Sequence, residues 1–304
     1  MAEESKWVVY TALAGNVLVA ASKFTAAAFS HSTAMLTEAI HSSADCANQV
    51  LLLIGTARSK KEPDRGHPFG YDGEIYFWAF VVAVMVLLLG GATSIYQGIR
   101  EFQHPHPVEA PVWSFTVLAL SAVFEAGSFV VGYRLSRRMI RRHPGSKPVS
   151  IWRFIELSKD PNMYESLLED GAALIGIAIA AIGVLGNVVF GVLWMDAAAS
   201  IAIGVLLIAN SYVIAYATRS LVAGEAVAPA VGKEIERALK HVTPDARLSD
   251  VKSLHLGPDT IIVTVAVDAG KKPADVPIAQ HLAAMEHEIK KVDERIRHVF
   301  FTLK

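Results

Sequence analysis

Six stretches of the chain are apolar for long enough to cross a lipid bilayer, since a helix needs roughly 20 mostly apolar residues to span the hydrocarbon core. They run approximately over residues 8–29, 34–57, 76–99, 112–135, 164–189 and 195–217. Each is expected to be helical, because backbone polar groups inside lipid must be satisfied within the segment. The second stretch is the least apolar and carries Glu38, His41, Asp45, Asn48 and Gln49. Beyond Ala217 the pattern changes to that of a small α+β domain. Val231, Ile235, Ala238 and Leu239 recur at helical spacing and predict a helix from about Pro229 to His241. Two strands follow, near Leu248 to His255 and Thr260 to Val267, parted by the turn signal Gly257-Pro258-Asp259. A helix from about Val276 to Lys291 and a strand from Ile296 to Leu303 complete an αββαβ order, in which two helices cover one sheet face. The expected division is a six-span transmembrane domain over residues 1–219 and a C-terminal domain over 220–304.

Cationic residues gather on alternate connections. Arg58, Lys60, Lys61 and Arg65 lie between the second and third stretches, and Arg134, Arg137, Arg138, Arg141, Arg142 and Lys147 between the fourth and fifth. The other short connections carry mainly Arg100. Positive residues stay on the cytoplasmic side, so both termini and the basic loops are expected there. The composition agrees with a membrane protein: of 304 residues, 53% are hydrophobic and 19% charged, and mean hydropathy is +0.38. A net charge of −1 gives no general attraction to nucleic acid. Cys46 is the one cysteine, which excludes an internal disulfide and a multi-thiolate zinc site. The first apolar stretch lacks a small-residue cleavage site, so the N-terminus is expected to be retained.

An ionisable group inside a span costs about 2.5 to 3.5 kcal/mol on insertion scales and calls for a partner, a wet cavity or a ligand. At about 100° per residue, Glu38, His41 and Asp45 fall within an arc of roughly 60°, and His41 and Asp45 at i and i+4 can share one ion. The fifth stretch opens with Glu165, Ser166, Glu169 and Asp170 before turning wholly apolar. Imidazole and carboxylates suit a divalent first-row metal, and the same groups take protons, so metal and proton can compete for one site. The plainer reading is that His41 and Asp45 bond to each other or to Asn48 and hold helices together, with Glu165 and Glu169 near the membrane surface at a helix N-terminus. Structural roles are expected for Asn16, Glu125 and Asp196 in interhelical bonding or capping, and Lys23 is expected to snorkel.

These residues resemble the cation diffusion facilitator family, which includes the zinc transporters of solute carrier family thirty, and the likeness covers nearly the whole chain. The family's His or Asp followed four residues later by Asp on the second span matches His41 and Asp45. The run Leu167-Leu168-Glu169-Asp170-Gly171 looks like the Leu-Leu-Glu-Asp variant of the branch containing zinc transporter nine. Asp170 matches directly, Glu169 stands in for the usual residue four positions earlier, and Ser166 with water is the competing way to complete the shell. His67-Pro68-Phe69-Gly70-Tyr71 is similar to a family loop, and Asp64 and His67 match an auxiliary cytoplasmic metal site of some members, although Tyr71 stands where a second His is common. The tail is similar in element order to the family's metallochaperone-like dimerisation domain. Of its ligand positions only His281 is matched, while His255, His287 and His298 read as scattered surface residues.

The resemblance implies a homodimeric, multi-pass secondary transporter, not an enzyme, that moves Zn2+ out of the cytoplasm in exchange for H+. It implies His41, Asp45, Asp170 and Glu169 as ligands, with Glu38, Ser166 and Asn48 as supporting or proton-carrying groups. A single imidazole among carboxylates also fits Mn2+, Fe2+ or Co2+. Rival classes are a membrane-embedded metalloenzyme and a non-transporting metal sensor or scaffold, and no HExxH helix or nucleophile motif favours the enzyme. The expected location is a bacterial inner membrane, with an organellar membrane as the alternative.

Overall fold

The computed structural model of the chain describes residues 2–141, 159–242, 247–268 and 278–303. Arg142, Lys147 and the expected helix start at Val276 lie outside the described residues. Helix α1 covers Ala2–Ser30 and α2 Thr33–Ser59. The third expected span is α3 (Glu74–Met85), a π-helical stretch Val86–Ala92, and α4 (Thr93–Gln103). Then come α5 (Pro111–Arg141), α6 (Pro161–Phe190) and α7 (Trp194–Val222).

Among the described residues, five helical stretches are long and apolar enough to cross a membrane, and α2 is not among them. With 27 residues α2 has the length, at about 1.5 Å per residue, but Glu38, His41, Asp45, Asn48 and Gln49 take away its apolarity. The same polar load that lowers its hydropathy places its chemistry inside the bundle. Of α2, Thr33 to Glu38 (except partly buried Leu36), His41, Ser42 and Asn48 are all buried.

The chain divides into two compact units. The first holds residues 1–55, 78–149 and 161–216. Its core joins Ala26 and Ala27 of α1, Met35 of α2, Leu118 of α5, Ile177 and Ala180 of α6, and Ile203 and Leu207 of α7. Leu18, Leu120, Val123 and Ile182 face outward, as side chains bathed in lipid would. The π-helical stretch comes against α7 with no room for side chains: a Cβ on Gly91 would lie 3.2 Å from the Gly204 carbonyl oxygen, and one on Gly204 would lie 2.9 Å from that of Gly91. The start of α2 is fixed from α7. Asp196 accepts from the Thr33 and Ala34 amides at 2.5 and 3.2 Å, and Ser32 Oγ donates to it at 2.6 Å while accepting from the Met35 amide. A carboxylate there meets the positive end of the helix. Asp196 therefore caps α2, not its own helix.

The second unit holds residues 56–77, 150–160 and 217–304. Helix α8 (Pro229–Val242), β1 (Arg247–Gly257), β2 (Thr260–Asp268), α9 (Ile278–Val292) and β3 (Ile296–Leu303) follow the expected order. The strands lie in the order β1-β2-β3, with β1 antiparallel and β3 parallel to β2. The parallel pair needs a crossover, which α9 supplies. Ile261, Val263, Val265 and Val267 alternate onto the covered face against Ile235, Leu239, Met285 and Ile289. The loop between α2 and α3 belongs to this unit. Phe69 meets His298 and Phe300 edge-on, and Thr260 Oγ1 donates to Asp72. Gly70 supports the turn with φ of 90°.

Candidate metal site in the helix bundle

On α2, His41 and Asp45 lie close to each other. His41 is 1% exposed, and its Nδ1 lies 3.4 Å from Asp45 Oδ1, too long for a good hydrogen bond. Neither ring nitrogen of His41 has a hydrogen-bond partner, nor does Asp45 Oδ1. Buried polar atoms of a protein are seldom left so. Asp45 keeps 17% of its side chain accessible, so the pair has an approach.

Across from α2, Glu169 and Asp170 diverge. Asn48 Nδ2 donates to Glu169 Oε1 at 2.5 Å, joining α2 to α6, whereas Asp170 Oδ2 accepts from Ser128 Oγ of α5 at 2.7 Å. The split follows from the 100° between neighbours on a regular helix, and α6 is unbroken here. Both carboxylates interact electrostatically with Asp45. Ser166 is exposed one turn before Asp170. Among the described residues no three His, Cys, Asp or Glu side chains converge closely enough to enclose a metal ion. The candidate ligands therefore do not form a closed shell among the described residues.

One group behaves differently from its expected role. Lys23 does not snorkel: it is 0% exposed, its Nζ lies 3.0 Å from Glu38 Oε2, and it donates to Ser42 Oγ at 2.8 Å. With an anion and a hydroxyl within reach inside the bundle, the ammonium has no need of the membrane surface. Glu38 is thereby tied to α1 while still interacting electrostatically with His41. Glu125, read as structural, is half-buried on α5 and interacts electrostatically with Asp45, Asp170, Lys23 and His41. The sequence signal for it is Ser128 at i+3, on the same face of α5.

Residues 9–222 match the family described as the cation efflux transmembrane domain. The chain is a member of that family. That family is one of integral, multi-pass metal cation transporters and not of enzymes, in keeping with the five long apolar helical stretches among the described residues. It is 30% identical over 266 residues to the human mitochondrial proton-coupled zinc antiporter SLC30A9, covering 86% of this chain and 45% of that protein. It is 29% identical over 269 residues to metal tolerance protein C4 of Arabidopsis thaliana, covering 88% of this chain and 57% of the relative. The manganese efflux system protein MneS of Bacillus subtilis is 23% identical over 287 residues, 93% of this chain and 89% of its own length. The chain thus spans about half the length of the SLC30A9 relative.

The other expected site of this cation efflux protein, in the loop between α2 and α3, is built as a turn. Asp64 Oδ1 accepts the amides of Gly66 and His67 at 2.9 and 2.8 Å, and Oδ2 accepts the Tyr71 hydroxyl at 2.7 Å. The Tyr71 bond, followed by that from the His67 amide, pulls the Asp64 carboxyl down to about 2. His67 Nδ1 stands 3.8 Å from Asp64, and its ring packs on Tyr71 at 4.1 Å. Tyr71 thus engages one Asp64 oxygen while two backbone amides engage the other. In the tail, His281 is half-buried on α9 and His287 is exposed. His255 is not a surface residue: it is 3% exposed, and burial, then the Arg295 and Lys159 cations, push its ring down to about 4.

Proposed function

We propose that this transporter exports a divalent first-row transition metal, Zn2+ foremost, in exchange for H+. His41, Asp45 and Asp170 would bind the ion, with Glu169 and Glu125 completing or tuning the shell. The observation that carries this is the buried His41 ring, with both nitrogens lacking hydrogen-bond partners, 3.4 Å from Asp45. A neutral imidazole and carboxylates form a tetrahedral zinc set at about 2.0 to 2.2 Å, far closer than a hydrogen-bonded arrangement. Moving α2 and α6 together by alternating access would close the shell, and moving them apart would release the ion. Because the ligands must be deprotonated to hold metal, protons entering from the other side favour release.

In this reading all six helical stretches span the membrane, α2 included, because its polar face turns inward. The basic loops and both termini lie in the cytoplasm, and the membrane is a bacterial inner membrane. The tail serves as a metallochaperone-like homodimerisation module, with Asp64 and His67 shaping the loop instead of holding metal. Mn2+ is the second reading, favoured by the carboxylate of Glu125 beside Asp45 and Asp170, which hardens the donor set. The test is flux of Zn2+ and Mn2+ into sealed proteoliposomes with an imposed pH gradient. Gradient-dependent Zn2+ flux above Mn2+ supports the first reading, the reverse order supports the second, and binding without flux of either contradicts both.

A further inference from the structure

We infer that the Lys23 ammonium is a tethered cation that fills the Glu38 carboxylate between transport events, making this pair a gate on the side of the metal site away from the basic loops. The inference rests on the efflux reading above. Lys23 and Glu38 lie near the short link between α1 and α2, at the end of α2 opposite Arg58. Glu38, His41 and Asp45 share one face of α2, at rises of about 4.5 and then 6 Å. An ion leaving His41 toward that end therefore meets Glu38 as the next carboxylate on its own helix.

That carboxylate is built to receive a cation. One oxygen holds Lys23 at 3.0 Å, whereas Oε1 is buried without a hydrogen-bond partner. Room for Oε1 is made on α6 by Gly176, where a Cβ would lie 2.5 Å from it. Ser42 Oγ, 2.8 Å from the ammonium, is a further oxygen donor beside it. A buried ion pair generally adds little stability over apolar residues of the same volume, so holding the helices together does not by itself account for the pair. A divalent ion reaching Glu38 repels the ammonium and displaces it. The returning ammonium then competes the ion off, which keeps this outer carboxylate from becoming a trap.

Two substitutions test the gate from opposite sides, each read by Zn2+ flux in proteoliposomes and by equilibrium Zn2+ binding to the full chain in detergent. Lys23→Arg keeps the charge but pairs with the carboxylate through a rigid two-pronged fork, so flux should fall by about tenfold with Zn2+ binding unchanged. Lys23→Met uncovers Glu38, so the folded variant should bind a further Zn2+ per chain and release it slowly. The same substitution with Glu38→Gln should lose that extra ion. Wild-type flux in Lys23→Arg, or unaltered binding stoichiometry in folded Lys23→Met, overturns the gate while leaving the efflux reading intact. Absence of metal flux in the wild type overturns the efflux reading itself, and the gate with it.

Discussion

Lys23, Glu38 and Ser42 are buried and joined by short contacts, whereas on the same helix His41 has both ring nitrogens without a hydrogen-bond partner and Asp45 interacts electrostatically with Glu125, Glu169 and Asp170. Both clusters place charge where lipid would exclude it. In the first, a protein cation answers the protein anion. In the second, the acids of α2, α5 and α6 outnumber the cations near them, and the imidazole has no hydrogen-bond partner. An excess of carboxylates beside such an imidazole is costly in a resting protein and useful in one that must pick up a doubly charged ion.

The sharpest way to break this contrast is at the open cluster. Asp170→Asn keeps the volume and the bond from Ser128 but removes the charge, and metal flux should fall by about a hundredfold or more, since even outer groups of a metal site are worth 10- to 100-fold. A fall of less than about threefold would mean that Asp170 is only a helix-packing acid. A third buried polar group, His255, sharpens the contrast from the second unit. Its ring titrates near 4 when folded and near 6.5 when unfolded, so the unfolded chain binds the proton first as pH falls. The stability of the second unit is then fully present above about pH 6.5 and drops towards pH 4 by at most about 3 kcal/mol. Hydrogen exchange of the β1 and β2 amides across this range should show the loss, and His255→Leu should flatten it.

Much of the fold is legible one residue at a time, because a long apolar run and a two-residue alternation are one-dimensional signals. The strand Ile296–Leu303 falls where the alternation puts it, and β2 runs one residue past its expected end. His255 was open to the same reasoning: it pairs with Ile261, as Ser253 pairs with Val263, which sets it on the covered face. The pairing of Lys23 with Glu38, the capping of α2 by Asp196 and the electrostatic link of Glu125 to Asp45 were not legible. Each depends on how one helix is rotated against another, which spacing within a single helix does not encode. The Asp64 turn shows the converse. The motif was visible, but the hydrogen bond from the Tyr71 hydroxyl to Asp64 was not.

Two smaller effects separate the clusters further. Gly176→Ala sets a methyl 2.5 Å from Glu38 Oε1 and should destabilise the protein by about 1 to 3 kcal/mol, as overpacking does, measured as a fall in Tm that Glu38→Ala, which removes the clashing atoms, does not add to fully. Additive losses would mean that the two side chains do not meet. Glu125→Gln keeps the direct contacts of Lys23 with Glu38 and Ser42 and should weaken Zn2+ affinity by about tenfold at unchanged Tm. Unchanged affinity by calorimetry would return Glu125 to a structural role.

The most direct test of the bundle site is anomalous X-ray scattering from crystals of the full chain grown with Zn2+. The account predicts a peak about 2.0 to 2.2 Å from a His41 ring nitrogen and from carboxylate oxygens of Asp45 and Asp170. Peaks confined to Asp64 and His67 or to His281, with none inside the bundle, would contradict it.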